Sequence, residues 1–136
     1  VLVLAVLVLL PVTWILLSLL RLQAASLGVD QAVRQAVRAL DAAPSVGIGM
    51  ERARLVAGVA LQDQGIGTDG MVVSVVPVGA GCAAPPVVPS LRPGAVYDVC
   101  VRATVTLPGV PSMLSGTANT ATGVLTWHVG ELREGR

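Results

Sequence analysis

The feature that most limits how this chain can fold is its opening run, VLVLAVLVLLPVTWILLSLL, in which every residue except Thr13 and Ser18 is apolar. As a helix these residues rise about 30 Å, the thickness of a bilayer's hydrocarbon core. A cleaved signal peptide has a shorter apolar region, and here the small residues Ala24-Ala25-Ser26 fall beyond Arg21, a poor cleavage context. A soluble core helix is rarely apolar on every face for so long. Residues 1–20 are therefore read as a retained transmembrane helix. Pro11 is tolerated there as a kink, and the hydroxyls of Thr13 and Ser18 can bond back to helix carbonyls. The sequence begins without Met, so a segment upstream of Val1 is expected, carrying the charges that set topology.

Residues 21–43 follow without a Gly-Pro break, so the helix is expected to continue into water as an amphipathic stem. Val29, Val33, Ala36, Val37 and Leu40 recur at helical spacing and form an apolar stripe. On the polar side Asp30 precedes Arg34 by four residues and Arg38 precedes Asp41 by three, distances at which side chains meet. The stripe suits two roles equally: packing against neighbouring chains, or covering the chain's own sheet. Gly28 is a candidate flex point and Pro44 a stop.

Residues 44–136 read as one small α+β head. MERARLVAGVALQDQGI predicts a second helix with Leu55, Val59 and Ala60 on its buried side, Glu51 in its first turn and Gly65 as C-terminal cap. MVVSVVPV is a short strand with Pro77 near its end, which suits an edge. AVYDVCVRATVTL alternates. Tyr97, Val99, Val101, Ala103, Val105 and Leu107 fall on one face; Asp98, Cys100, Arg102, Thr104 and Thr106 fall on the other. After a loop, PGVPSMLSGTAN, a final strand places Leu125, Trp127 and Val129 inward. The expected fold is α+β: a long N-terminal helix, a second short helix and an antiparallel sheet of about three strands.

Composition narrows the function. With 54% apolar residues, 12% charged and a net charge of +1, the chain is too apolar for disorder and lacks the basic surface that nucleic acid requires. Cys82 and Cys100 flank the Pro-rich stretch CAAPPVVPSLRPG at a spacing that fits neither a CxxC redox pair nor a zinc site. Their even number and an exported setting predict a disulfide closing the loop onto the strand. That outweighs Arg21, which alone would favour a cytoplasmic head. His128 is the single histidine, on the outward side of its strand, and no motif nominates a nucleophile or an orienting acid beside it. Asp98 and Arg102 share a face, where a surface ion pair is the default. GAGCAAP lacks the Lys-Ser/Thr of a phosphate loop. No catalysis, cofactor, metal or small-molecule substrate is expected.

The segments LVLLPVTWILLSLLRLQAA, VDQAVRQAVRAL, ERARLVAGVALQDQGI, PGAVYDVCVRATVTLPGVP and LTWHVGELREGR, in that order, resemble TadE-like proteins of the tight-adherence (type IV) pilus system over nearly the whole chain. The resemblance implies a minor pilin or pilus-assembly protein, processed by a prepilin peptidase and packed through its N-terminal helix. The acidic residue usual near the processed N-terminus has no counterpart in the first ten residues. Membrane lipid and other pilin-like subunits or assembly machinery are the implied partners. Val8, Pro11, Leu16, Val29, Val33, Val37 and Leu40 are the helix-packing candidates. The implied location is the cytoplasmic membrane, single-pass, with an extracytoplasmic head that serves adhesion at the bacterial surface. The other reading is a monomeric membrane-anchored binding module that uses the Pro-rich loop.

Overall fold

One helix runs through the whole architecture. The computed structural model describes residues 1–105 and 120–130. Helix α1 (Leu2–Ala42) is unbroken over 41 residues, with Pro11 and Gly28 inside it, so apolar run and stem are a single rod. At 1.5 Å per residue the rod is about 60 Å long. Within its apolar half, Ser18 Oγ donates to the Trp14 carbonyl at 2.9 Å, which is how a hydroxyl is satisfied in a greasy helix. The rod stops where Ala43, held extended ahead of Pro44, can no longer continue it.

Helix α2 (Val46–Asp63) begins four residues before the expected Met50, because Ser45 caps it and accepts from the Ile48 N–H at 3.4 Å. Glu51 therefore lies beyond the first turn. The C-terminus follows expectation. Gly65, at φ +72°, lets its own N–H reach the Gln62 carbonyl and the Ile66 N–H reach the Leu61 carbonyl, both near 3 Å. This pattern satisfies two orphan carbonyls and buries Ile66 with Leu61.

The buried side of α2 departs from the sequence reading. Gly49, Ala53, Ala57, Gly58 and Leu61 face the core, while Leu55 is 65% and Val59 57% exposed. The reason is the closeness of the α1–α2 hairpin. A Cβ on Gly49 would come within 3.0 Å of the Ala43 Cβ and 3.5 Å of the Leu40 Cα. Small residues are selected where backbones approach, and the larger side chains are displaced outward.

Strands β1 (Val72–Pro77), β2 (Val96–Thr104) and β3 (Thr120–His128) form an antiparallel sheet in the order β1-β2-β3, with Val75 opposite Val99 and Val99 opposite Leu125. Pro77 ends an edge strand, as expected. The inner face carries Val73, Val75, Val99, Val101, Ala103 and Trp127 against Ala25, Val29, Ala32, Val33, Ala36 and Leu40 of α1. The stripe on α1 thus covers the chain's own sheet, and residues 25–41 are the central helix of the head rather than a free stem. The expected positions of Thr106, Leu107 and the PGVPSMLSGTAN loop lie outside the described residues.

The chain from residue 78 to 95 wraps the sheet. It leaves β1, crosses the outer face at Cys82, passes the free edge of β1 where Val87 N–H donates to the Val75 carbonyl at 2.8 Å, and brings Ser90 N–H to Tyr97 Oη at 2.9 Å. One edge of the sheet is thereby closed.

Candidate functional site: the apolar shaft and its junction with the head

The apolar half of α1 is almost wholly exposed. From Val1 to Gln23 every residue is exposed except Ser18; Val8 is 53% and Leu16 56% exposed, and Pro11 lies on the same uncovered shaft. The described head reaches α1 at Arg21 and Ala24, where Gln64–Gly67 of the α2 cap and Thr104–Val105 at the end of β2 meet it. The first charged residue, Arg21, thus lies where the described head meets the helix. The apolar run is long enough to cross a membrane.

The other packing candidates divide at that junction. Val29, Val33 and Leu40 are buried within the head and Val37 partly so, which leaves them unavailable to a neighbouring chain. Only Val8, Pro11 and Leu16 remain open for intermolecular contact or for lipid.

Cys82 and Cys100 form the disulfide that their setting predicted, with Cα atoms 5.9 Å apart. Cys100 points to the outer face of β2, as its alternation requires, yet is buried because the loop it anchors lies over it. The bridge spans 18 residues, for which loop closure accounts for about 3 kcal/mol. Replacing both cysteines with serine should therefore lower the stability of the head by about 3 kcal/mol in denaturant titrations. The same variant should exchange the Val87 amide faster, because that hydrogen bond depends on the strap.

Asp98 is held by two neutral donors rather than by Arg102. Gly79 N–H donates to its Oδ2 at 3.1 Å and Thr126 Oγ1 to its Oδ1 at 2.9 Å, tying the loop, β2 and β3 together. His128 is exposed, as its strand position predicted. It lines a groove of about 440 Å³ with Arg34, Val37 and Arg38 of α1 and with Leu125–Trp127. No group of three or more His, Cys, Asp or Glu side chains suited to a metal ion occurs among the described residues.

The residue that the sequence reading missed is Asp41. Placed by its charge on the polar side of the stem, it is instead 1% exposed. Its Oδ1 accepts from Trp127 Nε1 at 3.1 Å and from Gly130 N–H at 3.0 Å, joining the end of α1 to the end of β3. The signal was present: Asp41 lies four residues after Val37 and eight after Val33, on the stripe's own side.

No family model, curated protein or solved structure matches the chain.

Proposed function

We propose that this chain is a membrane-anchored structural subunit of the TadE-like kind, a minor pilin or pilus-assembly component of a bacterial tight-adherence pilus. Its shaft lies in the bilayer or among neighbouring helices, and its head lies outside the cytoplasmic membrane. The observation that carries this reading is the division of α1: apolar and almost wholly exposed up to Arg21, then buried from Ala25 as the core of the head. Left in water, the shaft would expose apolar side chains worth on the order of tens of kcal/mol, so it needs lipid or protein around it. A rod that is greasy on all faces is equally suited to lipid and to the packed helices of a filament. The Cys82–Cys100 disulfide supports an oxidising compartment for the head. The reading assigns the chain no catalysis and no small-molecule substrate.

The test is photo-crosslinking in native membranes, with a benzophenone amino acid placed singly along residues 3–20, with and without the other pilus proteins. Crosslinks to small pilin-like proteins on a helical period, lost without the machinery, support the subunit reading. Crosslinks to lipid alone favour the anchored binding module, whose Pro-rich loop holds Val88 84% exposed. A cysteine at Val88 labelled by a membrane-impermeant maleimide in intact spheroplasts would place the head outside; protection until lysis would place it inside.

Val8→Arg puts a charge on the uncovered shaft and should disfavour insertion by about 3 kcal/mol. In carbonate extraction a larger soluble fraction is expected than for the parent chain. A subunit should also lose its machinery-dependent crosslinks, whereas a lone anchor would only insert less well.

A further inference from the structure

The two edges of the sheet are treated differently. The register fixes which backbone groups face outward. Val129 N–H donates to the Ala95 carbonyl, so that pair is hydrogen-bonded, and alternation makes Tyr97–Trp127, Val99–Leu125 and Val101–Gly123 hydrogen-bonded pairs as well. The same parity turns the Val75 carbonyl outward on β1, where Val87 meets it. On β3 the groups turned outward are those of Thr122, Val124, Thr126 and His128. None has a backbone partner beyond the sheet among the described residues. From Thr122 to His128 this edge runs for about 20 Å with no charge or proline and, among the described residues, no covering strap, the devices that normally keep an edge from pairing.

The groove beside that edge has a charged wall. Val29 meets β3 at Gly123, and Asp41 meets its far end at Trp127 and Gly130, so α1 runs alongside β3 in the same direction. Arg34 and Arg38 both face the groove, are exposed, and have no ion pair among the described residues. They are one helical turn apart, about 6 Å along the axis. Alternate residues of a strand repeat at about 6.7 Å, so carboxylates two apart on an added strand would match the two guanidinium groups. Val37, lying between the arginines, offers the strand an apolar contact.

We propose that the open edge of β3 is a docking site for an extended, acidic segment of a partner protein, which adds to the sheet as a fourth strand beneath Arg34 and Arg38. The segment supplies main-chain hydrogen bonds to Thr122, Val124, Thr126 and His128, and carboxylates on alternate residues to the arginines. A second copy of this chain is the poorer occupant. Twofold pairing of β3 with β3 would point the two α1 shafts in opposite directions, and both could not enter one bilayer; this step alone rests on the anchored reading.

The test uses the full chain in lipid nanodiscs and the probe acetyl-(Val-Glu)4-amide. The peptide should bind and slow amide exchange at Val124, Thr126 and His128 roughly tenfold or more at saturation. Arg34→Glu combined with Arg38→Glu, both at exposed positions, should weaken binding about tenfold or more. A probe N-methylated at alternate residues, on the edge that faces β3, should not bind. Three results would overturn the proposal: equal binding of acetyl-(Val-Lys)4-amide, no protection at these amides, or protection without peptide accompanied by dimers. Nanodisc incorporation is scored in the same samples, so failure of the peptide to bind is separable from failure of the anchor.

Discussion

Asp41→Ala is expected to lower the stability of the head by about 4 kcal/mol, since each hydrogen bond to a buried charged group contributes about 1.5–3 kcal/mol. The carboxylate is 1% exposed, and its Oδ1 holds the Trp127 indole N–H and the Gly130 amide, residues 86 and 89 positions further along the chain. Alanine leaves both donors buried with no acceptor and opens a hole where the carboxylate stood. No buried side-chain polar atom among the described residues lacks a partner, so the loss is not absorbed by slack already present. Asp41→Asn keeps an Oδ1 in place and removes the charge, so about 1–2 kcal/mol is expected from the weaker, neutral bonds. Urea titration of the full chain in detergent, followed by near-ultraviolet circular dichroism of the Tyr97–Trp127 pair, whose ring centroids lie 6.0 Å apart, reads both variants. Wild-type stability in both would show that the latch contributes nothing.

How far the sequence foretold this structure depended on the kind of signal each element carried. The apolar run, the β2 alternation and the Gly65 cap were legible because each is a local pattern, and the Cys82–Cys100 bridge because two cysteines leave one pairing. The buried face of α2 was not. Periodicity arguments weigh large apolar side chains, which pointed to Leu55 and Val59, whereas a close helix hairpin selects Gly49, Ala53 and Ala57. That choice depends on where the partner helix lies, which one helix's sequence does not state. Asp41 was misplaced for a related reason: its charge outweighed its position, though its spacing put it on the core side. The stripe on α1 was legible as a stripe, but its partner was not, since Val29, Val33 and Leu40 would look the same against a neighbour or against the chain's own sheet. Of the candidate site, the shaft was legible from residue types alone, while the open β3 edge and its arginine wall required the register and the path of α1.

The same dependence on close approach makes Gly123 the second position where a small change should have a large effect. Gly123→Ala adds one methyl to an interior strand position, and relief of glycine's conformational entropy would by itself favour alanine by about 0.5–1 kcal/mol. Gly123 does not adopt a positive φ, so the backbone is no obstacle. The obstacle is α1: a Cβ at Gly123 would lie 2.6 Å from the Val29 carbonyl oxygen and 2.9 Å from its carbon. Those are backbone atoms of the rod that organises the core, and they cannot rotate away. Either α1 lifts from β3, loosening the Asp41 latch at its far end, or the strand bends out of register. Overpacking of this kind costs about 3 kcal/mol or more, which reverses the sign expected from entropy. Gly47→Ala is the matched control: it is helical, with nothing within 4 Å of the added Cβ, and should stabilise the head by about 0.5–1 kcal/mol in the same titration. A second comparison separates backbone from side chain. Val29→Ala trims the valine but leaves the carbonyl in place, as well as the valine Cβ, 3.3 Å from the Gly123 position. It should not rescue Gly123→Ala; rescue would mean that the valine methyls, not the helix backbone, set the distance between α1 and the sheet.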